Sequence, residues 1–260
     1  MRAMKTGTIS KIYFDHEKLD VYRGALEFVA WADKLLQGIE VGISAKDHLK
    51  RASESAVRNL VRANSKRRQS ERTRVFEIAY GSALECVACL DVLRAWGLVG
   101  ESDLIGGKEA LHRVVSMIIR IRAAQSPTVH ECRGHYVGNG GRPSEPSFSH
   151  DKLRVYRSAL EFISWSAALI QSEAIGLSCA RELDKHATGI VLNIAEGNGK
   201  FSEKDRRRFL QIALSAGLQA ATSLDILEAR SVISTRQNER GKLQLRELVS
   251  MIGALARGLS

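Results

Sequence analysis

Residues 191–210 read VLNIAEGNGKFSEKDRRRFL and set a Gly-x-Gly-Lys beside three consecutive arginines. A phosphate-cradling loop needs Gly-x-x-x-x-Gly-Lys-Ser/Thr between a strand and a helix, so that successive backbone N–H groups wrap the phosphates. Here Ile194 stands where the first glycine belongs, Phe201 follows Lys200, and the preceding residues are helical in pattern. The stretch therefore reads as a helix stop, with Gly197 or Gly199 supplying a positive φ at a C-cap.

What remains at this position is charge. Lys200, Lys204, Arg206, Arg207 and Arg208 occupy one helix-to-helix corner, and Arg58, Arg62, Lys66, Arg67, Arg68, Arg72 and Arg74 occupy the matching corner earlier in the chain. Residues 58–74 carry seven cations against Glu71, a net +6; residues 192–208 carry five against Glu196, Glu203 and Asp205, a net +2. The whole chain is +10. Each Lys or Arg laid on a phosphate releases counterions, so clustered cations point to nucleic acid. With no aromatics interleaved in the arginine runs, the expected mode is shape or backbone binding to RNA rather than base readout. The alternatives are a solvated face and a protein–protein adaptor whose charge only solubilises.

Other constellations carry less. Cys86 and Cys89, with His130, Cys132 and His135, have zinc-ligand chemistry, but 86 and 89 match Ala220 and Ser223 on an apolar helix, where cysteine packs as a small hydrophobe. Four scattered cysteines predict free thiols. Asp91, Asp225, Glu27 and Glu161 recur at matched positions without the Glu-x-x-His pairs of a di-metal bundle, and are expected to pair with arginines such as Arg23 and Arg157. His16 and His150 are expected at helix entries, capping or on the surface. No nucleophile–base pair recurs. The sequence assigns no catalytic residue, metal or cofactor.

The elements that place these residues come from a repeat. Phe14–Gln37 and Phe148–Gln171 share fourteen of 24 positions, and the offset of 134 then runs without a gap through Asn59/Asn193, Asp91/Asp225 and Lys108/Lys242. The segment between them holds all three prolines and cannot sustain a helix. The expected organisation is a bundle over 10–126, a linker over 127–145 and a second bundle over 146–260. Apolar residues at helical spacing, such as Leu153, Tyr156, Leu160 and Ile163, predict four helices per copy. In copy two these lie near 149–172, 178–197, 202–229 and 239–258, with Ser202 as an N-cap. The fold class is all-α, two tandem antiparallel up-and-down four-helix bundles. Trp31 and Trp165, with Phe28 and Phe162, are expected in the core.

Asn193-Ile194-Ala195-Glu196-Gly197, its basic turn, Phe209-Leu210 and the alternation IALSAGLQAATSLDIL resemble bacterial four-helix bundle proteins encoded in intervening sequences of 23S ribosomal RNA genes. The opening KLxVYRxALEF of each copy is similar to their first helix. The resemblance implies a non-enzymatic bundle that assembles into homo-oligomers, related to accessory proteins of diversity-generating retroelements that bind nucleic acid and a reverse transcriptase. Members are usually single bundles, and copy one departs from the motif with Asn59-Leu60-Val61-Arg62-Ala63. The expected partners are nucleic acid, a protein such as a polymerase, and further copies of the chain. The N-terminal residues lack an apolar stretch of signal-peptide length, and no window approaches the roughly 20 apolar residues of a membrane span. The expected location is the cytoplasm.

Overall fold

The computed structural model describes residues 13–125, 148–172 and 177–259. Copy one comprises α1 (Asp20–Gln37), α2 (Ser44–Asn64), α3 (Gln69–Ala95) and α4 (Glu101–Gln125). Copy two comprises α5 (Arg154–Ser172), α6 (Leu177–Asn198), α7 (Glu203–Ala229) and α8 (Thr235–Arg257). No strand occurs among the described residues. In each copy consecutive helices pack as neighbours and the first closes on the fourth, which makes two four-helix bundles. The expected linker, with His130, Cys132 and His135, lies outside the described residues.

Local sequence explains the boundaries. In α1, Val21, Ala25, Phe28 and Ala32 fall on one face and are buried. The matched Val155, Ala159 and Phe162 do the same in α5. Ser202 accepts a hydrogen bond from the Asp205 N–H at 3.4 Å and caps α7, as the sequence predicts. Helix one of each copy starts five residues later than expected, because Asp15–Lys18 and Ser149–Lys152 form 3-10 turns and Leu19 and Leu153 are extended. Helix α8 starts earlier than expected, because Ser234 and Gln237 form a capping box.

The expected positive φ at Gly197 or Gly199 is absent. Gly197 is inside α6, where an added Cβ would lie 3.0 Å from Phe209 Cβ, and Gly199 follows it with an ordinary φ. Among the described residues the left-handed ones are Gly97 (φ 73°) and Ser231 (φ 58°), which occupy matched positions after α3 and α7. In both, the next amide reaches back to close the helix end: Leu98 N–H to Leu93 O at 3.0 Å, and Val232 N–H to Leu227 O at 2.9 Å. Copy two makes this turn with a residue whose Cβ crowds the following carbonyl.

Trp31 and Trp165 are half-buried and pack over a matched glycine: a Cβ at Gly107 would strike the Trp31 ring, and one at Gly241 would strike Trp165. The two glycines thus set how closely helices one and four approach in each copy.

The bundles pack on each other through α3, which meets α5 and α6, while α2 also touches α6. Beyond its polar first turns helix α3 is consequently covered on most sides: sixteen of its residues, all between Val75 and Leu93, are buried, against seven in the matched α7. Helix α7 keeps Leu218 and Ile226 exposed, at the positions of the covered Leu84 and Val92. Helix α7 is also long and apolar enough, by length and composition, to cross a membrane, where the sequence reading expected no such segment. The physical reason lies in the repeat, because its sequence retains much of the apolar character of a helix buried on all sides.

Candidate nucleic-acid interface

Copy one builds its basic corner from the last turns of α2, residues 65–68 and the first turns of α3. Spacing of four residues sets Arg58 and Arg62 on one side of the α2 end, and Lys66 follows just beyond it. Arg58, Arg62, Arg67, Arg68 and Arg74 are exposed, and Lys66 and Arg72 half-buried. Glu54 takes Arg58 at 2.7 Å, and Glu71 lies 3.7 Å from Lys66 and 3.9 Å from Arg68. The Arg72 guanidinium sits 5.8 Å from the Phe76 ring centre. Arg62, Arg67 and Arg74 have no ion pair among the described residues. The corner therefore presents a positive field that its own acids answer only in part.

The matching corner of copy two is mostly engaged by its own chain. Lys200 pairs with Glu196 at 2.8 Å and lies 4.5 Å from the Phe209 ring centre. Arg206 donates to Asn198 O at 3.2 Å and Arg207 to Leu259 O at 2.5 Å. Lys204 and Arg208 alone of its five cations are exposed. Sequence counts distinguish the two corners only by net charge, +6 against +2; the contacts make one a surface and the other a joint.

The Asn193–Gly197 segment explains that joint. Asn193 donates to Gly189 O at 2.7 Å within α6, Ile194 and Ala195 are buried, and Glu196 holds Lys200. This end of α6 lies against α3: a Cβ on Gly81 would be 3.1 Å from both Glu196 Oε1 and Lys200 Nζ. A Cβ on Gly199 would strike Leu84 and lie 3.0 Å from the Tyr80 ring. Phe201 is clasped between Tyr80, ring centres 5.5 Å apart, and the Arg122 guanidinium, 3.6 Å from its centre. In copy one Arg62 stands for Glu196, Ser65 for Gly199 and Arg67 for Phe201, so the equivalent surface is basic and uncovered.

The seam holds a polar cluster that residue types alone did not reveal. Asp91 is not paired with an arginine: Lys108 Nζ lies 2.7 Å from it and 3.5 Å from Asp151, and Tyr156 donates to it at 2.8 Å. Its exposed counterpart Asp225 pairs with Lys242 at 2.5 Å, while Glu27 and Glu161 are exposed. His150 is wholly buried rather than at the surface, between Phe148 and Tyr156, with both ring nitrogens lacking a hydrogen-bond partner. Burial lowers its pKa to about 4, which leaves it neutral, and burial raises the Asp91 carboxyl despite Lys108. Asp91, His150 and Asp151 bring ligand-type atoms within 4.8 Å of one another. Lys108 already supplies a positive charge to both carboxylates. The signal in the sequence was the joint recurrence of His16/His150, Tyr22/Tyr156, Asp91/Asp225 and Lys108/Lys242. On another edge of the seam the Ser44 N–H donates to Asp184 at 2.6 Å. Cys86 and Cys89 are fully buried free thiols, pushed well up by desolvation.

A family model described as 23S rRNA-intervening sequence protein matches residues 17–120 and again 151–254. The two matches cover most of the chain, which therefore belongs to that family. No curated protein and no solved structure matches it.

Proposed function

We propose that this member of the 23S rRNA-intervening sequence protein family is a non-enzymatic, cytoplasmic scaffold that binds nucleic acid, RNA in particular, through the basic corner of copy one. The observation that carries the reading is the divergence of two matched surfaces. In copy two the end of α6 is buried against α3 with a neutralised Glu196–Lys200 pair and an aromatic cap. In copy one the same surface is open and its equivalents are Arg62, Lys66 and Arg67. A face that only needed solubility could carry charges of either sign in any arrangement of acids and bases. Here the cations converge on one corner beyond the number its acids can pair, which suits the closely spaced charge of a phosphate backbone.

Arg58, Arg62, Arg67, Arg68 and Arg74 lead in this reading, with Lys66 and Arg72 behind them. Lys204 and Arg208 supply a secondary site, and Lys200, Arg206 and Arg207 hold the fold. Fluorescence anisotropy with a structured RNA and with duplex DNA tests it. Reversal of Arg62 and Arg67 to glutamate is expected to abolish binding at moderate salt; retention of full affinity would refute the assignment. A protein adaptor that docks an uncharged surface predicts that retention.

A further inference from the structure

The arginine runs hold no aromatic of their own, but the fold sets one on the same face. Copy two shows where its counterpart lies. Phe148 meets His112 of α4 with ring centres 6.0 Å apart, and Phe201 has the Arg122 guanidinium 3.6 Å from its centre. The entry and the corner of copy two therefore face the same way, ten residues of α4 apart, or about 15 Å along its axis. Asn198, at the end of α6, donates to Ser149 of the entry turn at 2.8 Å and joins the two. By the 134-residue offset the corresponding places in copy one hold Phe14 and Arg67, and both are exposed. Phe14 is 63% exposed, where Phe148 is 1%.

The Phe14 ring is held in place by its own chain. It stacks on His16 with ring centres 5.7 Å apart at 12°, and His16 meets Tyr22 edge-on at 4.9 Å. Arg23 donates to Glu17 O at 3.1 Å and to Lys18 O at 3.0 Å, which fixes the turn. The acids of this entry are engaged: Glu17 accepts from the Tyr13 N–H at 2.7 Å, Asp15 pairs with Lys18 at 2.8 Å, and Asp20 lies 3.9 Å from Arg23. The entry thus offers a ring without spare cations, and the corner offers spare cations without an exposed ring.

Charge decides what such a face takes. A second chain seated on it as copy one sits on copy two would set Arg62 and Arg67 against Leu214, Ser215 and Leu218, the counterparts of Tyr80, Gly81 and Leu84. Gln211 stands there in place of Glu77, which pairs with Arg122 at 3.1 Å. Cations buried in that way would have no acid to pair, which is unfavourable. A polyanion brings its own charge at every unit of its chain. A duplex does so too, but its bases are stacked inside and cannot reach Phe14. A single strand presents phosphates and free base faces together.

We propose that the nucleic acid taken by copy one is single-stranded RNA, with an unpaired base stacked on the open face of Phe14 and neighbouring phosphates on Arg62 and Arg67. A few nucleotides of extended strand cover that span. This rests on the nucleic-acid reading of the basic corner and adds the class of ligand. Every base has a π face, so stacking here selects the unpaired state of the strand over its sequence.

Fluorescence anisotropy on the full chain tests the proposal, with an unstructured RNA strand of mixed sequence and with the duplex it forms with its complement. The unaltered chain is expected to bind the single strand more tightly. Phe14→Ala, at an exposed side chain, should lower that affinity about five- to a hundredfold and leave duplex affinity unchanged, and Phe14→Trp should retain it. Circular dichroism verifies the fold of each variant. Equal affinity for the two RNAs, or a single-strand affinity indifferent to Phe14→Ala, would overturn the inference. So would sedimentation velocity in which Phe14→Ala only dissociates a complex of two chains, since the face would then belong to a second copy. Failure of the underlying reading looks different. If neither RNA binds, the basic corner and this inference fall together; if both bind alike and Arg62→Glu with Arg67→Glu abolishes binding, the corner stands and the single-strand inference alone falls.

Discussion

His150 makes the joint between the bundles sensitive to acid. Its ring is wholly buried between Phe148 and Tyr156, and its pKa is lowered from 6.5 to about 4. Desolvation is the largest cause and Lys108 acts in the same direction, and together they outweigh Asp151, which raises the value. A group that binds its proton less tightly in the fold than in the open chain contributes stability that is complete above pH 6.5. That stability is lost as pH falls through 6.5 toward 4, because the opened state takes up the proton first. A displacement of about 2.5 units at about 1.4 kcal/mol per unit gives a loss of about 3.5 kcal/mol across the window. Asp184 titrates with the opposite sense: burial raises it to about 6, so its protonated form favours the fold, and its contribution falls as pH rises from 4 toward 6. Comparison of the unaltered chain with His150→Phe isolates the histidine, because Asp184 is common to both. Phenylalanine keeps a ring between its neighbours and removes two unpaired buried nitrogens, so the variant is expected to be at least as stable at pH 7. Urea unfolding followed by tryptophan fluorescence at pH 7, 5.5 and 4.5 should show the variant gaining about 2–3 kcal/mol on the unaltered chain by the lowest pH. Parallel stability–pH profiles for the two proteins would refute the burial of an uncharged His150 at the seam.

Further substitutions probe the same joint and the two corners. Gly199→Ala places a methyl group against Leu84 and Tyr80 and should lower stability by about 1–3 kcal/mol in urea unfolding. Ser231→Gly relieves the left-handed turn that copy one makes with Gly97, and should raise the thermal midpoint by the equivalent of up to about 1 kcal/mol. Arg206→Glu with Arg207→Glu breaks bonds to Asn198 O and Leu259 O and should lower the thermal midpoint. Reversal at the exposed Arg62 and Arg67 should change stability by no more than about 0.5 kcal/mol, so melting curves distinguish the structural corner from the binding corner.

Much of the architecture was legible because it is written twice. The 134-residue offset and the apolar spacing within each copy identified the helices and the fold class, whereas the matched Trp–Gly contacts emerged only from the packing. Helix ends were less legible where tertiary contacts decide them. Gly199 does stand where α6 stops, as its type suggests, but without the left-handed φ, and its absent side chain serves the approach of Leu84 and Tyr80 from the other bundle. The corners show the same limit. A net charge count cannot tell Arg206, bonded to a backbone carbonyl, from Arg62, which faces solvent. His150 shows it most sharply, because its sequence setting is the same as that of His16, and only the docking of one bundle on the other buries it.

The central claim is that phosphates bind the corner of copy one. Its most direct test is the salt dependence of RNA affinity, measured by anisotropy for the unaltered chain and for a variant with Arg62, Arg67 and Arg74 changed to glutamine. The account predicts a steep fall of log K with log salt that becomes shallower by about 2–3 in the variant, since each lost phosphate contact removes about 0.7–0.9 from the slope. Substitution of Lys204 and Arg208 should alter it less. A slope unchanged by the loss of the three arginines, or no binding at low salt, would contradict it.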